Sequence, residues 1–184
     1  MNNINTDHFL FVEKYRPQII KDCILPKALK KVFTEIVKTQ KIPMLMFSGS
    51  AGIGKTTVAK ALCNEVGADV LMLNGSDEGR TIDTLRTTIR QFASTSSLIS
   101  SQKVIIFDEF DYANATSVQP ALRSFIEEFS NNCTFIFTCN YKNKIIPALH
   151  SRCTVIDFKI TNEEKQRITI DLFTRILNIL DNED

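Results

Sequence analysis

The hydrophobic positions of this chain alternate between two spacings. Short apolar runs at Met44 to Phe47, Val70 to Leu73, Val104 to Phe107, Thr134 to Thr138 and Thr154 to Phe158 have the length of strands. The run Val104-Ile105-Ile106-Phe107 is apolar at every position, the mark of a strand buried on both faces of a parallel sheet. Between these runs the apolar residues recur at helical spacing. A helix is expected from Pro26 to about Thr39, with Leu29, Phe33, Ile36 and Val37 inward and Pro43 stopping it before the first strand. Further helices are expected over Lys55 to Val66, closed by Gly67, over about Ile82 to Ala93, and over Thr116 to Phe129, with a short helical patch from Ile145 to His150. Asn74 to Gly79 and Ser94 to Ser101 are polar connections. Val12 to Pro17 is expected to be extended, because a proline disfavours helix at the residue before it. Strands that alternate with helices predict an α/β fold: three layers, αβα, around a five-stranded parallel sheet with right-handed crossovers. After Ile160 the pattern changes, and the capping-box-like Thr161-Asn162-Glu163-Glu164 opens a last helix with an apolar stripe at Ile168, Leu172, Ile176 and Ile179 or Leu180. The chain therefore divides into a core, residues 1–160, and a helical segment, residues 161–184.

One junction in this pattern carries chemistry. The run Met44 to Phe47 is followed at once by Gly49-Ser50-Ala51-Gly52-Ile53-Gly54-Lys55-Thr56-Thr57 and then by a helix, which is strand, phosphate loop and helix in order. Glycines let several backbone N–H groups converge on a phosphate, and the helix that opens after Gly54 adds the positive end of its dipole. Lys55 would reach the β- and γ-phosphates of a nucleotide, and the Thr56 hydroxyl would hold Mg²⁺. Tyr15 and Arg16, just upstream, are candidates to line the base pocket. The fold expected is that of a P-loop NTPase.

The pair Asp108-Glu109 follows directly on the apolar strand Val104 to Phe107, so both carboxylates fall at its carboxyl end, where α/β sheets bind ligands. Asp108 is the candidate to assist Mg²⁺, and Glu109 to polarise a water for attack on the γ-phosphate. Asp111 is expected to cap a helix or a turn rather than to serve as a third catalytic acid. Asn140 ends the strand that begins at Thr134, from where its amide could hydrogen-bond that water or the γ-phosphate. Arg152, in Ser151-Arg152-Cys153, is either a surface cation or a finger that reaches the nucleotide of an adjacent subunit.

Composition narrows the class further. The chain has 184 residues, 43% hydrophobic and 23% charged, the balance of a globular domain. No apolar run approaches the ~20 residues that span a bilayer, and Met1 to Phe11 has no signal-peptide pattern, so a cytoplasmic location is expected. Five cysteines without C-x-x-C or histidine pairing argue against a zinc site or a disulfide framework. The net charge of +1 excludes a globally basic nucleic-acid binder, although residues 1–60 hold ten Lys/Arg against four Asp/Glu. Any DNA contact must be local.

Together, Glu13-Lys14-Tyr15-Arg16-Pro17, the loop Gly49 to Thr57, Asp108-Glu109-Phe110-Asp111, Ala121 to Glu127 and Ser151-Arg152-Cys153 resemble the motifs of the sliding-clamp-loader ATPases of the AAA+ superfamily. The large subunits of T-even phage loaders and the small subunits of replication factor C belong to that family. The resemblance runs over residues 9–180, and Ser-Arg-Cys is its most specific element. It implies an Mg-dependent ATP hydrolase whose hetero-pentamer binds ATP between subunits, opens a sliding clamp and places it on primer–template DNA. It implies that Arg152 acts in trans and that Arg123 is a second interfacial arginine. It also implies that Arg80, Arg86 and Arg90 are candidate DNA contacts, with Ile89 and Phe92 either a clamp-binding plug or core. Ser50-Ala51 and Ile53 depart from the family's usual residues, and Glu78-Gly79-Arg80 reorders its usual Glu-Arg-Gly. The family's helical lid and collar are longer than residues 161–184, so a companion chain with the rest of the lid, and weak activity of this chain alone, are expected. A non-catalytic scaffold subunit and another P-loop enzyme are the alternatives.

Overall fold

The computed structural model describes residues 11–76, 81–95 and 102–183. The elements run α1 (Phe11–Lys14), α2 (Lys27–Thr39), β1 (Leu45–Ser48), α3 (Lys55–Val66), β2 (Asp69–Asn74), α4 (Ile82–Ser94), β3 (Lys103–Asp108), α5 (Val118–Phe129), β4 (Thr134–Cys139), α6 (Pro147–His150), β5 (Thr154–Asp157) and α7 (Asn162–Asp181). The five strands form one parallel sheet in the order β2-β3-β4-β1-β5. β1 therefore lies between β4 and β5, and the loop that leaves it emerges beside the ends of β3 and β4.

The continuous apolar runs have their reason in the two cores they serve. Ile105 and Phe107 of β3 face one core with Ile89 of α4 and Leu122 and Phe125 of α5. Val104 and Ile106 face the other with Phe33 of α2 and Val58 and Leu62 of α3. Alternate residues of one strand thus enter opposite layers, which is why no polar residue interrupts it. The first core is rich in ring contacts: Phe107 stacks on Phe137 with centroids 5.6 Å apart, and Phe110 meets Phe137 at a tilt with centroids 4.7 Å apart.

Several boundaries differ from the expected ones for local reasons. The stretch before Pro17 is not extended throughout: Phe11–Lys14 is a turn of helix, and irregular backbone begins only near Arg16, the residue proline constrains. α5 begins at Val118 because Asn114 Oδ1 accepts from the backbone N–H groups of Thr116 and Ser117 and holds them in a turn. In α7 the capping pair forms, with Thr161 Oγ1 accepting from the Glu164 N–H. Its apolar stripe does not turn inward as a unit, for Leu172 is 50% and Ile176 45% exposed. The side nearer the body is anchored by arginines instead: Arg167 donates to Leu25 O at 3.0 Å, and Arg175 to Asp22 O at 3.1 Å and Tyr15 O at 2.8 Å.

Candidate functional site

At the carboxyl ends of β1, β3 and β4 the chain encloses a cavity of about 400 Å³, lined by Arg16, Gly52, Gly54, Lys55, Thr56, Thr57, Asp108, Glu109, Thr138 and Asn140, among others. The loop after β1 turns into α3 through Gly54, the N-cap, whose φ of 90° suits glycine. No side chain caps this end, which leaves the first N–H groups of α3 turned to the position where a phosphate is stabilised.

Lys55 is the first residue of α3, buried at 8% exposure. Its ammonium donates to Gly49 O, Ser50 O and Asn140 Oδ1, each at 2.8 Å. All three acceptors are neutral oxygens. Burial pushes Lys55 below the ordinary lysine pKa, and the negative charge of Asp111, Asp108 and Glu109 works in the opposite direction. Asn140 joins the lysine because Asp111 Oδ1 accepts from the Asn140 N–H at 3.1 Å. Asp111 is therefore not a turn cap. It is buried at 4% exposure, and its Oδ2 has no partner among the described residues.

Beside the lysine, Thr56 Oγ1 donates to Asp108 Oδ1 at 2.6 Å, and Thr138 Oγ1 lies 2.5 Å from the same oxygen. A hydroxyl and a carboxylate are hard oxygen donors of the kind Mg²⁺ takes, and the cavity has room for the waters it keeps. Among the described residues no cluster of three or more His, Cys, Asp or Glu could hold a metal by itself. Glu109 follows with φ 52°, a left-handed conformation that is unfavourable for a residue with a Cβ. It is held there from two sides. Its N–H donates to Thr138 Oγ1 at 3.1 Å, and the bare backbone of Gly75 presses on its carbonyl, where a Cβ would come within 2.6 Å.

The remaining candidates divide. Thr57 and Arg16 line the cavity, and Arg16 pairs with Glu13 and lies 3.4 Å from Thr57 Oγ1. Tyr15 is not among the lining residues of this cavity, and its hydroxyl donates to Glu183. Ile53 packs on the α2–α3 core, and Gly49 contributes its carbonyl to Lys55. Ile89 is fully buried in the α4–α5 core, so it is no exposed plug for a clamp. Phe92 is half-buried against the same core, under the Lys103 ammonium at 5.4 Å from its ring centroid. The helical spacing that turns Leu85 and Ile89 inward turns Arg86 and Arg90 outward, where both pair with Glu128, at 3.2 and 2.8 Å. Arg80 lies outside the described residues. Arg152 and Arg123 stand away from this cavity, and both meet Glu127 of α5. Sequence patterns miss Thr138, because a threonine within a strand carries no motif, and they give Asp111, the last residue of Asp108-Glu109-Phe110-Asp111, only a capping role. Their positions one strand apart, facing Asp108 and Asn140, appear only in the folded sheet.

A strand–loop–helix phosphate cradle at the end of a five-stranded parallel sheet, with a carboxylate pair on the next-but-one strand, defines a P-loop NTPase. Residues 45–160 match the ATPase family associated with various cellular activities, AAA, and the chain belongs to that family. It is 43% identical to the sliding-clamp-loader large subunit of Enterobacteria phage T4, across 100% of this chain and 57% of that protein. It is 40% identical to the replication factor C small subunit of Methanoculleus marisnigri, across 86% of this chain and 50% of that one. Among solved structures, the RuvB Holliday junction branch migration motor of Thermotoga maritima superposes with a TM-score of 0.69 at 20% identity, over 90% of this chain and 55% of that one. That likeness concerns the fold alone. The chain spans about half the length of the curated relatives it matches.

Proposed function

We propose that this chain is an ATPase subunit, or the amino-terminal part of one, of a DNA polymerase sliding-clamp loader. It would use ATP binding and hydrolysis to open a ring-shaped clamp and place it on primer–template DNA. The observation that carries the ATPase reading is the Lys55 ammonium, buried among neutral oxygens with Asn140 on one side and the Thr56–Asp108 pair close by. Support for the loader comes from relatives named as clamp-loader and replication factor C subunits.

In the proposed reaction Lys55 and the first N–H groups of α3 bind the β- and γ-phosphates. Thr56 and Asp108 would hold Mg²⁺, which neutralises charge on the phosphates. Glu109 accepts the proton of the attacking water, and its left-handed backbone, fixed by Thr138 and Gly75, sets where the carboxylate is carried. Asn140 is shared between Lys55 and the cavity, so arrival of a γ-phosphate at Lys55 changes what the amide contacts, and it can orient the water. Arg152 supplies positive charge in trans, to the nucleotide of an adjacent subunit.

The partners proposed are the other subunits of a hetero-pentamer, the clamp, primed DNA and a chain or segment that completes the lid; alone, these 184 residues should turn over ATP slowly. The test is ATP hydrolysis by the assembled complex with and without clamp and primed DNA. Stimulation by the two together is expected. Turnover indifferent to both, or phosphoryl transfer to a small molecule, would count against a loader.

A further inference from the structure

Glu127 lies in the last turn of α5, where its carboxylate is the meeting point of two arginines. Arg152 Nη2 donates to Glu127 Oε1, and Arg123 Nε lies 3.6 Å from the same oxygen. Arg152 Nη1 donates to Ala148 O of α6 at 2.7 Å, so both ends of the guanidinium are held by its own chain. The Arg152 side chain is 28% exposed and that of Glu127 54%, which makes the cation the more covered partner. The Arg152 hydrogen bond also holds the Glu127 carboxyl below its ordinary range, so it is ionised at neutral pH.

We propose that Glu127 is a latch on Arg152: it keeps the guanidinium against α5 and α6 of its own subunit, and Arg152 reaches an adjacent subunit's nucleotide only by leaving it. The inference rests on the trans role given to Arg152 above. With Nη1 tied to Ala148 O and Nη2 to Glu127, the planar guanidinium fork is aimed at α5 and α6 of its own chain, and to aim a paired set of donors at a phosphate on a neighbour it must turn out of that contact. The exchange becomes favourable when the interface closes, because a triphosphate terminus carries more charge than a carboxylate and excluded water strengthens the new contact. Arg123 is already beside the same oxygen, so the departure of Arg152 does not leave Glu127 without a cation. Glu127 is thus a positioning residue whose effect is to lower idle hydrolysis.

The test uses the native complex that contains this chain. Glu127→Gln keeps the shape and removes the charge. Turnover without clamp and DNA should rise about twofold to fivefold, the hold expected of a half-exposed pair, and the ratio of stimulated to idle turnover should fall to match. Glu127→Asp, which keeps the charge, should restore most of that ratio, and Glu127→Gln combined with Arg152→Ala should show no rise. If idle turnover of Glu127→Gln equals or falls below wild type while Arg152→Ala still lowers stimulated turnover, the latch is wrong and the trans arginine stands. If Arg152→Ala leaves stimulated turnover unchanged, the trans reading fails and the latch falls with it.

Discussion

At the carboxyl end of the sheet a buried lysine is met by three neutral oxygens, whereas on the α4–α5 face four arginines share two adjacent carboxylates. Arg86 and Arg90 meet at Glu128, and Arg123 and Arg152 at Glu127. The first arrangement solvates a charge without cancelling it, so attraction remains for an incoming polyanion. The second cancels charge at a half-exposed surface, where an ion pair is weak, screened by salt and readily exchanged for another. In the cradle the cation has only neutral partners, and on the surface every one of the four arginines already has a carboxylate.

Substitutions that act on only one side of this contrast sharpen it. The largest effect is expected from Glu109→Gln in the assembled complex: hydrolysis should fall by ~10² to 10⁴ while nucleotide affinity stays nearly intact, because the grip of Lys55 does not depend on the base. Steady-state turnover and equilibrium binding check this, and retained turnover would show that the base is misassigned. On the other face, Ile89→Ala should destabilise the fold by about 2 to 5 kcal/mol, and Arg90→Ala by no more than about 0.5 kcal/mol. Denaturant titration separates the two, and a small change at Ile89 would return it to the surface. Lys55→Ala should weaken nucleotide binding about tenfold to a hundredfold, the worth of hydrogen bonds to a charged group, whereas Arg86→Ala should leave it unaltered. Equal losses in a binding titration would erase the contrast. The smallest effect concerns the thiols. Burial pushes Cys63 and Cys153 up to about 12, and Cys23, Cys133 and Cys139 to about 11. A folded thiol so raised stays protonated at pH 8, so alkylation should be slow and speed up on denaturation, with partly exposed Cys153 labelled first. Because the unfolded thiols ionise from about pH 9, stability should fall as pH rises from 9 toward 11 to 12. Fast native labelling at Cys63 would contradict the packing around α3.

Much of this was legible in the sequence, and the limits have physical causes. A strand buried on both faces has to be apolar throughout, so Val104 to Phe107 announced itself, and a loop that must converge N–H groups on phosphate shows its glycines. Helical spacing also grouped Ile89 with Phe92 on one stripe of α4. It did not show which way was inward, because that depends on what α4 packs against. The anchoring of α7 was not legible for a different reason: Arg167 and Arg175 reach backbone carbonyls of residues 15 to 25, contacts whose acceptors carry no side-chain signature. Thr138, Asp111 and Glu127 act through partners 25 to 30 positions distant, which register and helix packing bring close and which no local motif records.

The central claim, that one subunit's phosphate cradle works with the arginine of another, is tested most directly by mixing two defective chains. Arg152→Ala chains keep an intact cradle and lack the finger; Lys55→Ala chains lack the cradle and keep the finger. If Arg152 acts in trans, complexes assembled from both should hydrolyse ATP faster than complexes of either chain alone, because some interfaces unite an intact Lys55 with an intact Arg152. Mixed complexes that assemble but never exceed either parent would contradict the account.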